Sequence, residues 1–288
     1  MTSGTPAATG TFSIGGEYPV SRLGFGAMRL PTAHGAARDG AVAVARRAVA
    51  LGVGLIDTAH LYGWGANEEL LAEALHPYPD GLLITTKVGV VRTDGPEGWG
   101  YDARPDSLRV QVEEGLRRLR TERVGLLQLH RIDPKVPVAE QVGALRELQR
   151  EGKIGHIGLS EVTASQLAEA RRTAEIASVQ NRYNLLDREY EPVLEACEAA
   201  GIAFLPWRPV AAATPAHTKE LGAIATELGA TTPQLLLAWL LARSPVMVPI
   251  PGTASLTHLE QNVAAADLRL DGAQLRSLAG LAGPEGTV

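Results

Sequence analysis

Short runs of β-branched and aliphatic residues alternate with longer segments of helical period along almost the whole chain, and no other feature restricts the fold as much. The runs are Gly54-Leu55-Ile56, Leu82 to Thr85, Val124 to Leu129, Ile154 to Leu159, Ala177 to Gln180, Ile202 to Leu205 and Val246 to Val248. They lack a polar/apolar alternation, which is the mark of strands covered on both faces of a parallel sheet. The segments between them have helix ends that can be read. Ala41 to Leu51 stops at Gly52, a suitable residue just past a helix end. Asn67 followed by Glu68 and Glu69 reads as a cap with acidic first-turn partners, and Pro105 opens a segment with Val112, Leu116 and Leu119 on one face. Helices are also expected over 137–151, 164–172, 190–200 and 219–228. With a further strand over Arg22 to Phe25 the count is eight strand–helix units, at roughly 30-residue spacing. The fold class predicted is α/β, a closed (β/α)8 TIM barrel. An N-terminal β-hairpin around Gly15-Gly16 and extra C-terminal helices, among them Thr232 to Arg243, complete it. The alternative is an open doubly wound sheet, but no G-x-G-x-x-G turn follows an early strand.

Length and composition narrow the setting. At 288 residues the chain suits one large barrel domain, expected over 12–288, after a small disordered leader over 1–11. The leader has no basic start and no apolar stretch, so it does not read as a signal peptide. One cysteine, Cys197, excludes a disulfide framework and a cysteine-rich zinc site. Lys and Arg number 27 against 32 Asp and Glu, and no basic run is present, which argues against a nucleic-acid surface. No apolar run approaches the about 18 residues of a membrane span, so a cytoplasmic protein without a membrane partner is expected. No clustered His/Asp set or H-E-x-x-H indicates a metal.

In a barrel, chemistry sits at the C-terminal ends of the strands. Three consecutive strands end in titratable residues: Asp57 after Leu55-Ile56, Lys87 after Thr85-Thr86, and His130 after Leu129. Tyr62 lies on the loop above Asp57. A carboxylate beside an ammonium offsets the burial cost of both. A phenol near that ammonium is expected to have its pKa lowered towards neutrality, fitting it to protonate a developing alkoxide. A neutral His130 would orient the substrate oxygen. Each residue also has a structural reading: Asp57 as a cap, Tyr62 at the rim, His130 in the core, and Lys87 as a solvated loop lysine or a Schiff-base lysine. Four of them above three neighbouring strands favour the catalytic reading. Met28, Trp64, Trp99 and Trp207 fall on expected upper loops and suggest an apolar pocket. Arg29, His60 and Arg131 would meet an anionic substrate or simply be solvated.

The motifs around these residues resemble those of the aldo-keto reductase family. Ile56-Asp57-Thr58-Ala59-His60-Leu61-Tyr62-Gly63, Thr85-Thr86-Lys87 and Leu129-His130-Arg131 carry the resemblance, with Gly155 to Ser160, Ser178 to Asn184, Ile250-Pro251-Gly252-Thr253 and Glu260-Gln261-Asn262 in the same order. Pro206-Trp207-Arg208-Pro209 is similar to a bacterial subgroup that includes pyridoxal reductases. The resemblance implies an NADP-dependent reductase of aldehydes or ketones, pyridoxal and other aromatic aldehydes among them, with NADPH as cofactor and NAD as second candidate. It implies Tyr62 as general acid, tuned by Lys87 and Asp57, with His130 orienting a small-molecule carbonyl substrate; the loop positions of Trp64 and Trp99 place them in the expected substrate pocket. Asp57, Ser160 and Gln180 would lie at the nicotinamide and Trp207 would stack on it. Ala27, Met28, Arg208, Gly252, Thr253, His258, Gln261 and Asn262 would line the remainder of the cofactor. Three positions depart from the family pattern. Glu161 stands where an asparagine often assists the carboxamide, and Gly252 and His258 stand where many members carry a lysine and an arginine at the 2′-phosphate. The stretch over 210–218 looks shortened where relatives cover the pyrophosphate. The rivals are a cofactor-binding regulatory subunit of the same fold and a Schiff-base aldolase using Lys87.

Overall fold

The computed structural model describes residues 10–210 and 215–281. The chain opens on an antiparallel hairpin of β1 (Thr11–Ile14) and β2 (Tyr18–Ser21), turned by Gly15 and Gly16 at φ 61° and 72°. Of the expected leader, residues 1–9 lie outside the described part, and Thr11 already belongs to a strand. Ile14 and Val20 of the hairpin are fully buried against Leu55, Leu83 and Leu126, so the hairpin closes the bottom of the barrel.

The barrel strands follow as β3 (Phe25–Gly26), β4 (Leu55–Asp57) and β5 (Leu83–Val88). A second, separate hairpin comes next, β6 (Val90–Arg92) with β7 (Trp99–Tyr101). Then come β8 (Val124–Leu129), β9 (Ile154–Ser160), β10 (Ile176–Gln180) and β11 (Ala203–Phe204). Seven strands form one parallel sheet in the order β11-β10-β9-β8-β5-β4-β3. The eighth stave is the segment 246–251. Its backbone bonds β11 on one side, Val248 N to Phe204 O at 2.8 Å, and the β3 edge on the other, Gly24 N to Pro249 O at 2.9 Å and Gly26 N to Pro251 O at 3.2 Å. Pro249 and Pro251 have no N–H to donate, so the segment closes the ring by single bonds instead of a ladder. Towards β11 the pairing is one bridge, Phe204 with Met247, and Pro206 has no N–H to extend it, so the strand expected over 246–248 appears only as that bridge.

Helices α1 (Ala36–Ala50), α2 (Ala66–Leu75), α3 (Pro105–Leu119), α4 (Val138–Arg150), α5 (Ala164–Arg171) and α6 (Glu191–Ala200) alternate with the strands. They are followed by α7 (Pro215–Glu227), α8 (Thr232–Arg243), α9 (Leu256–Ala264) and α10 (Gly272–Leu281). Local chemistry sets their ends. Thr163 with Gln166, and Thr231 with Gln234, form capping boxes that start α5 and α8. Gly201 ends α6 in the left-handed conformation, φ 65°. Asn67 differs from expectation. Gly65 caps α2, and the Asn67 side chain is instead buried, accepting from Thr58 Oγ1 at 2.6 Å and donating to the Ala27 carbonyl at 2.9 Å. It ties the loop after β3 to the loop after β4.

Inside the barrel, strand periodicity stacks the side chains in layers. Leu55, Leu83 and Leu126 form an apolar floor with the hairpin. Two residues further up each strand stand Asp57, Thr85 and Gln128, and then Lys87 and His130. The site therefore sits on a dry floor and opens upward.

Candidate active site

Lys87 is fully buried at the end of β5, and its ammonium has three acceptors: Asp57 Oδ2 at 2.7 Å, the Thr58 carbonyl at 2.9 Å and Tyr62 Oη at 3.1 Å. An ammonium has three N–H donors, so its capacity is fully used and its position is fixed. The other carboxylate oxygen of Asp57, Oδ1, accepts from Gln180 Nε2 at 2.8 Å and Gln128 Nε2 at 3.1 Å. Gln128 also donates to Thr85 Oγ1 at 3.0 Å. The sequence reading did not single out Gln128. Its signal was present, as a polar residue in the otherwise apolar run Val124 to Leu129. Space for it comes from β9: a Cβ at Gly158 would lie 2.8 Å from Gln128 Cγ and 2.3 Å from Ser178 Oγ.

Burial works against the Lys87 charge, but Asp57 and Tyr62 outweigh it and raise the pKa above its ordinary value. The amine is thus held as a hydrogen-bonded ammonium, which is not a nucleophile, against the Schiff-base reading. The Tyr62 phenol is also raised. Burial is the largest cause, and Lys87 pulls in the opposite direction without overcoming it. This corrects the expectation of a phenol lowered towards neutrality: the group stays protonated at neutral pH. His130 is held well below its ordinary value by burial, then by Lys87 and Arg131, and is therefore neutral. Its ring meets Tyr62 edge-on at 6.1 Å, and its Nδ1 is buried with no hydrogen-bond partner among the described residues.

These groups open into a cavity of about 1470 Å³ that runs from Asp57, Tyr62 and His130 across the mouth of the barrel to Gln261 and Asn262 at α9. Its size exceeds the roughly 300–1,000 Å³ of a pocket for a single drug-sized ligand. Eleven of the twelve residues expected at a cofactor line it: Met28, Asp57, Ser160, Gln180, Trp207, Arg208, Gly252, Thr253, His258, Gln261 and Asn262. Ala27 is buried beneath, its carbonyl bonded to Asn67. An elongated groove with the His130 imidazole at one end and the start of a helix at the other fits an extended dinucleotide with a substrate beside it. Trp64 and Trp99 are not brought to the cavity. Trp64, at φ 54°, packs edge-on to His60 at 5.7 Å, and Trp99 packs edge-on to Tyr101 at 5.5 Å on the β6–β7 hairpin.

Glu161 has a different task from the one its position suggested. Its backbone is left-handed, φ 55°, and its Oε1 accepts from Trp207 Nε1 at 2.6 Å and from the Arg182 amide at 2.8 Å. The carboxylate thus holds the indole that lines the cavity. His60 turns away from the cavity, its Nδ1 3.1 Å from Arg118 Nη2, and Arg118 in turn binds the buried Glu68 at 2.6 Å. The expected cover over 210–218 falls in part on residues 211–214, outside the described residues.

Comparison with known proteins bears directly on this geometry. A model of the aldo/keto reductase family matches residues 22–282, which takes in all eight staves and the whole cavity. The chain belongs to the aldo/keto reductase family. It is an NAD(P)H-dependent oxidoreductase of (β/α)8 fold. An uncharacterized oxidoreductase of Schizosaccharomyces pombe is 45% identical over 267 residues, covering 91% of this chain and 86% of the relative. Pyridoxine 4-dehydrogenase of Escherichia coli is 40% identical over 284 residues, covering 95% and 99%. Among solved structures, an aldo-keto reductase of Klebsiella pneumoniae in complex with NADPH superposes with a TM-score of 0.85 at 30% identity, over 97% of both chains. Among the described residues, this aldo-keto reductase has no cluster of His, Cys, Asp and Glu able to hold a metal and no helix long and apolar enough to cross a membrane.

Proposed function

We propose that this aldo-keto reductase reduces aldehydes or ketones with NADPH, Tyr62 acting as general acid. The observation that carries the reading is the contact of 3.1 Å between Lys87 Nζ and Tyr62 Oη, above a lysine already paired with Asp57. A bound reduced nicotinamide supplies hydride to the substrate carbon. The chain supplies the rest. Tyr62 donates its proton to the carbonyl oxygen as that oxygen becomes an alkoxide, and the phenolate left behind lies against the Lys87 ammonium. Asp57, fixed by Gln128 and Gln180, keeps that ammonium charged and in place. Neutral His130 hydrogen-bonds the same carbonyl oxygen and orients it. Ser160 and Gln180 would hold the carboxamide end of the cofactor and Trp207 would face its ring. Arg208, Thr253 and His258 would serve its phosphates, and Gln261 and Asn262 the adenine. The missing lysine and arginine at 252 and 258 weaken the phosphate clamp, so NADPH is preferred to NADH by a modest factor.

The pyridoxine 4-dehydrogenase relative supports pyridoxal and other aromatic aldehydes as the first substrates to try. NADPH consumption is expected with pyridoxal or 4-nitrobenzaldehyde. Tyr62→Phe should abolish it, while quenching of protein fluorescence still reports NADPH binding. Retained turnover in that variant would remove Tyr62 from its role. Tight cofactor binding by the unmodified chain with negligible turnover across the panel would instead favour a regulatory subunit.

A further inference from the structure

Five cationic side chains line or border the cavity, and they differ in what they are paired with. Lys87 is neutralised by Asp57. Arg182 forms ion pairs with Asp187 at 2.7 Å and Glu189 at 3.2 Å. Arg29 and Arg208 are exposed at the rim. Arg131 is the exception. It is half-buried beside His130, and it has no carboxylate partner among the described residues. Both of its hydrogen bonds leave from one nitrogen: Nη1 donates to the His130 carbonyl at 2.6 Å and to Ser160 Oγ at 3.3 Å. Those two bonds fix the guanidinium plane. They leave the Nε–Nη2 edge, the edge that grips a carboxylate in a two-pronged manner, without a protein partner.

The charges around the reacting centre do not balance. Asp57 and Lys87 cancel, His130 is neutral, and Arg131 remains. Removing a cation from water without a partner is costly unless an anion arrives to complete the pair. Arg131 lies next in sequence to His130, donates to Ser160 Oγ, and lines the same cavity as Tyr62 and His130.

We propose that Arg131 is an anion subsite for the substrate: the enzyme selects carbonyl compounds that carry an oxyanion, a carboxylate or an ionised phenol, close to the carbonyl group. The oxyanion takes the Nε–Nη2 edge while the carbonyl oxygen lies between Tyr62 and His130. This rests on the reductase reading above. It goes beyond that reading because carbonyl reduction alone needs no cation at this place.

The test compares 3- and 4-formylbenzoate with their methyl esters, by NADPH consumption, in the unmodified enzyme, Arg131→Ala and Arg131→Lys. The readout is the ratio of kcat/KM for each acid to that for its ester. Arg131→Ala should lower that ratio about 10- to 100-fold, the factor carried by one charge-assisted hydrogen-bonded pair. Arg131→Lys keeps the charge but loses the fork, and should fall between. Calorimetric titration of benzoate into the enzyme with NADP bound gives a readout that needs no turnover. Binding is expected to the unmodified enzyme and to be lost in Arg131→Ala. An unchanged ratio overturns the proposal, and so does absence of benzoate binding to the unmodified enzyme. Equal losses for acid and ester together with weakened NADPH binding also overturn it, by assigning Arg131 to the cofactor. Failure of the reductase reading looks different: no aldehyde is turned over, while the benzoate titration still reports on Arg131.

Discussion

Lys87 and Asp57 form a pair in which every donor is matched, at 0% and 3% side-chain exposure. Such a pair gives little net stability compared with an apolar one, but breaking it is costly. Lys87→Met should leave Asp57 as an uncompensated buried charge, lower stability by about 3–5 kcal/mol and suppress turnover. Adding Asp57→Asn should recover part of the stability and none of the activity, as read from urea unfolding and NADPH consumption on the same samples. Tyr62 gives a pH prediction with a definite sign. Its phenol is raised above the ordinary value of 10.0, and an acid works only while protonated. The rate of reduction is therefore expected to stay level through neutrality and fall only at strongly alkaline pH. A descending limb near pH 7 is what a phenol lowered by Lys87 would give, and finding one would overturn this prediction. The sequence showed which four residues meet; it did not show which of two opposed effects on Tyr62 is larger, because that depends on how much water the folded loop excludes.

At the scale of elements, the sequence was legible where one local rule decided the outcome. The helix expected over Thr232 to Arg243 is found with those bounds, and its start is fixed locally, by the capping box of Thr231 with Gln234 and by Pro233 in the first turn. β8 and β9 are legible as mainly apolar runs without polar/apolar alternation, each with one polar residue inside it, Gln128 and His156. Legibility failed where the partner was remote. Asn67 looks like a cap, yet its amide is claimed by Thr58 and Ala27 from two other loops. The β6–β7 hairpin went unseen because its turn, Asp94-Gly95-Pro96-Glu97-Gly98, has loop composition and its strands are three residues each. Glu161 is another case, since its meaning comes from Trp207, 46 positions away. Glu161→Ala would leave the indole N–H and the Arg182 amide without their acceptor, a loss of about 1–3 kcal/mol of local ordering. It should raise the KM for NADPH and shift the tryptophan emission, whereas Glu161→Gln, which keeps an acceptor oxygen, should resemble the unmodified enzyme. Gly158 makes a comparable demand on β9. A methyl group there meets Ser178 Oγ at 2.3 Å and Gln128 Cγ at 2.8 Å. Gly158→Ala should cost about 1–3 kcal/mol by overpacking and also lower kcat, because the displaced Gln128 is a partner of Asp57. A variant that melts earlier yet keeps full kcat would separate Gln128 from the site.

For the whole molecule, the barrel concentrates its electrostatic demands at one end. The chain carries a net charge of −5, yet Arg29, Arg131 and Arg208 face or flank the mouth, so an anionic cofactor is drawn to a positive patch on an acidic protein. That arrangement links stability to pH. The folded state keeps His130 neutral, whereas in the unfolded chain it takes up a proton near its ordinary value of 6.5. Below that pH the unfolded state binds more protons than the folded one, so stability falls as pH falls, by about 1.4 kcal/mol per pH unit for this group. His60, lowered by burial and then by Arg118, acts in the same direction. Above pH 7 neither group contributes to the slope. Replacing His130 by Gln removes one titrating group without adding a charge, and should flatten the dependence of the urea midpoint on pH between about 5 and 6.5. If the slope were the same in both proteins, the imidazole would have to titrate freely in the folded state, and a neutral His130 could not be the group that orients the carbonyl.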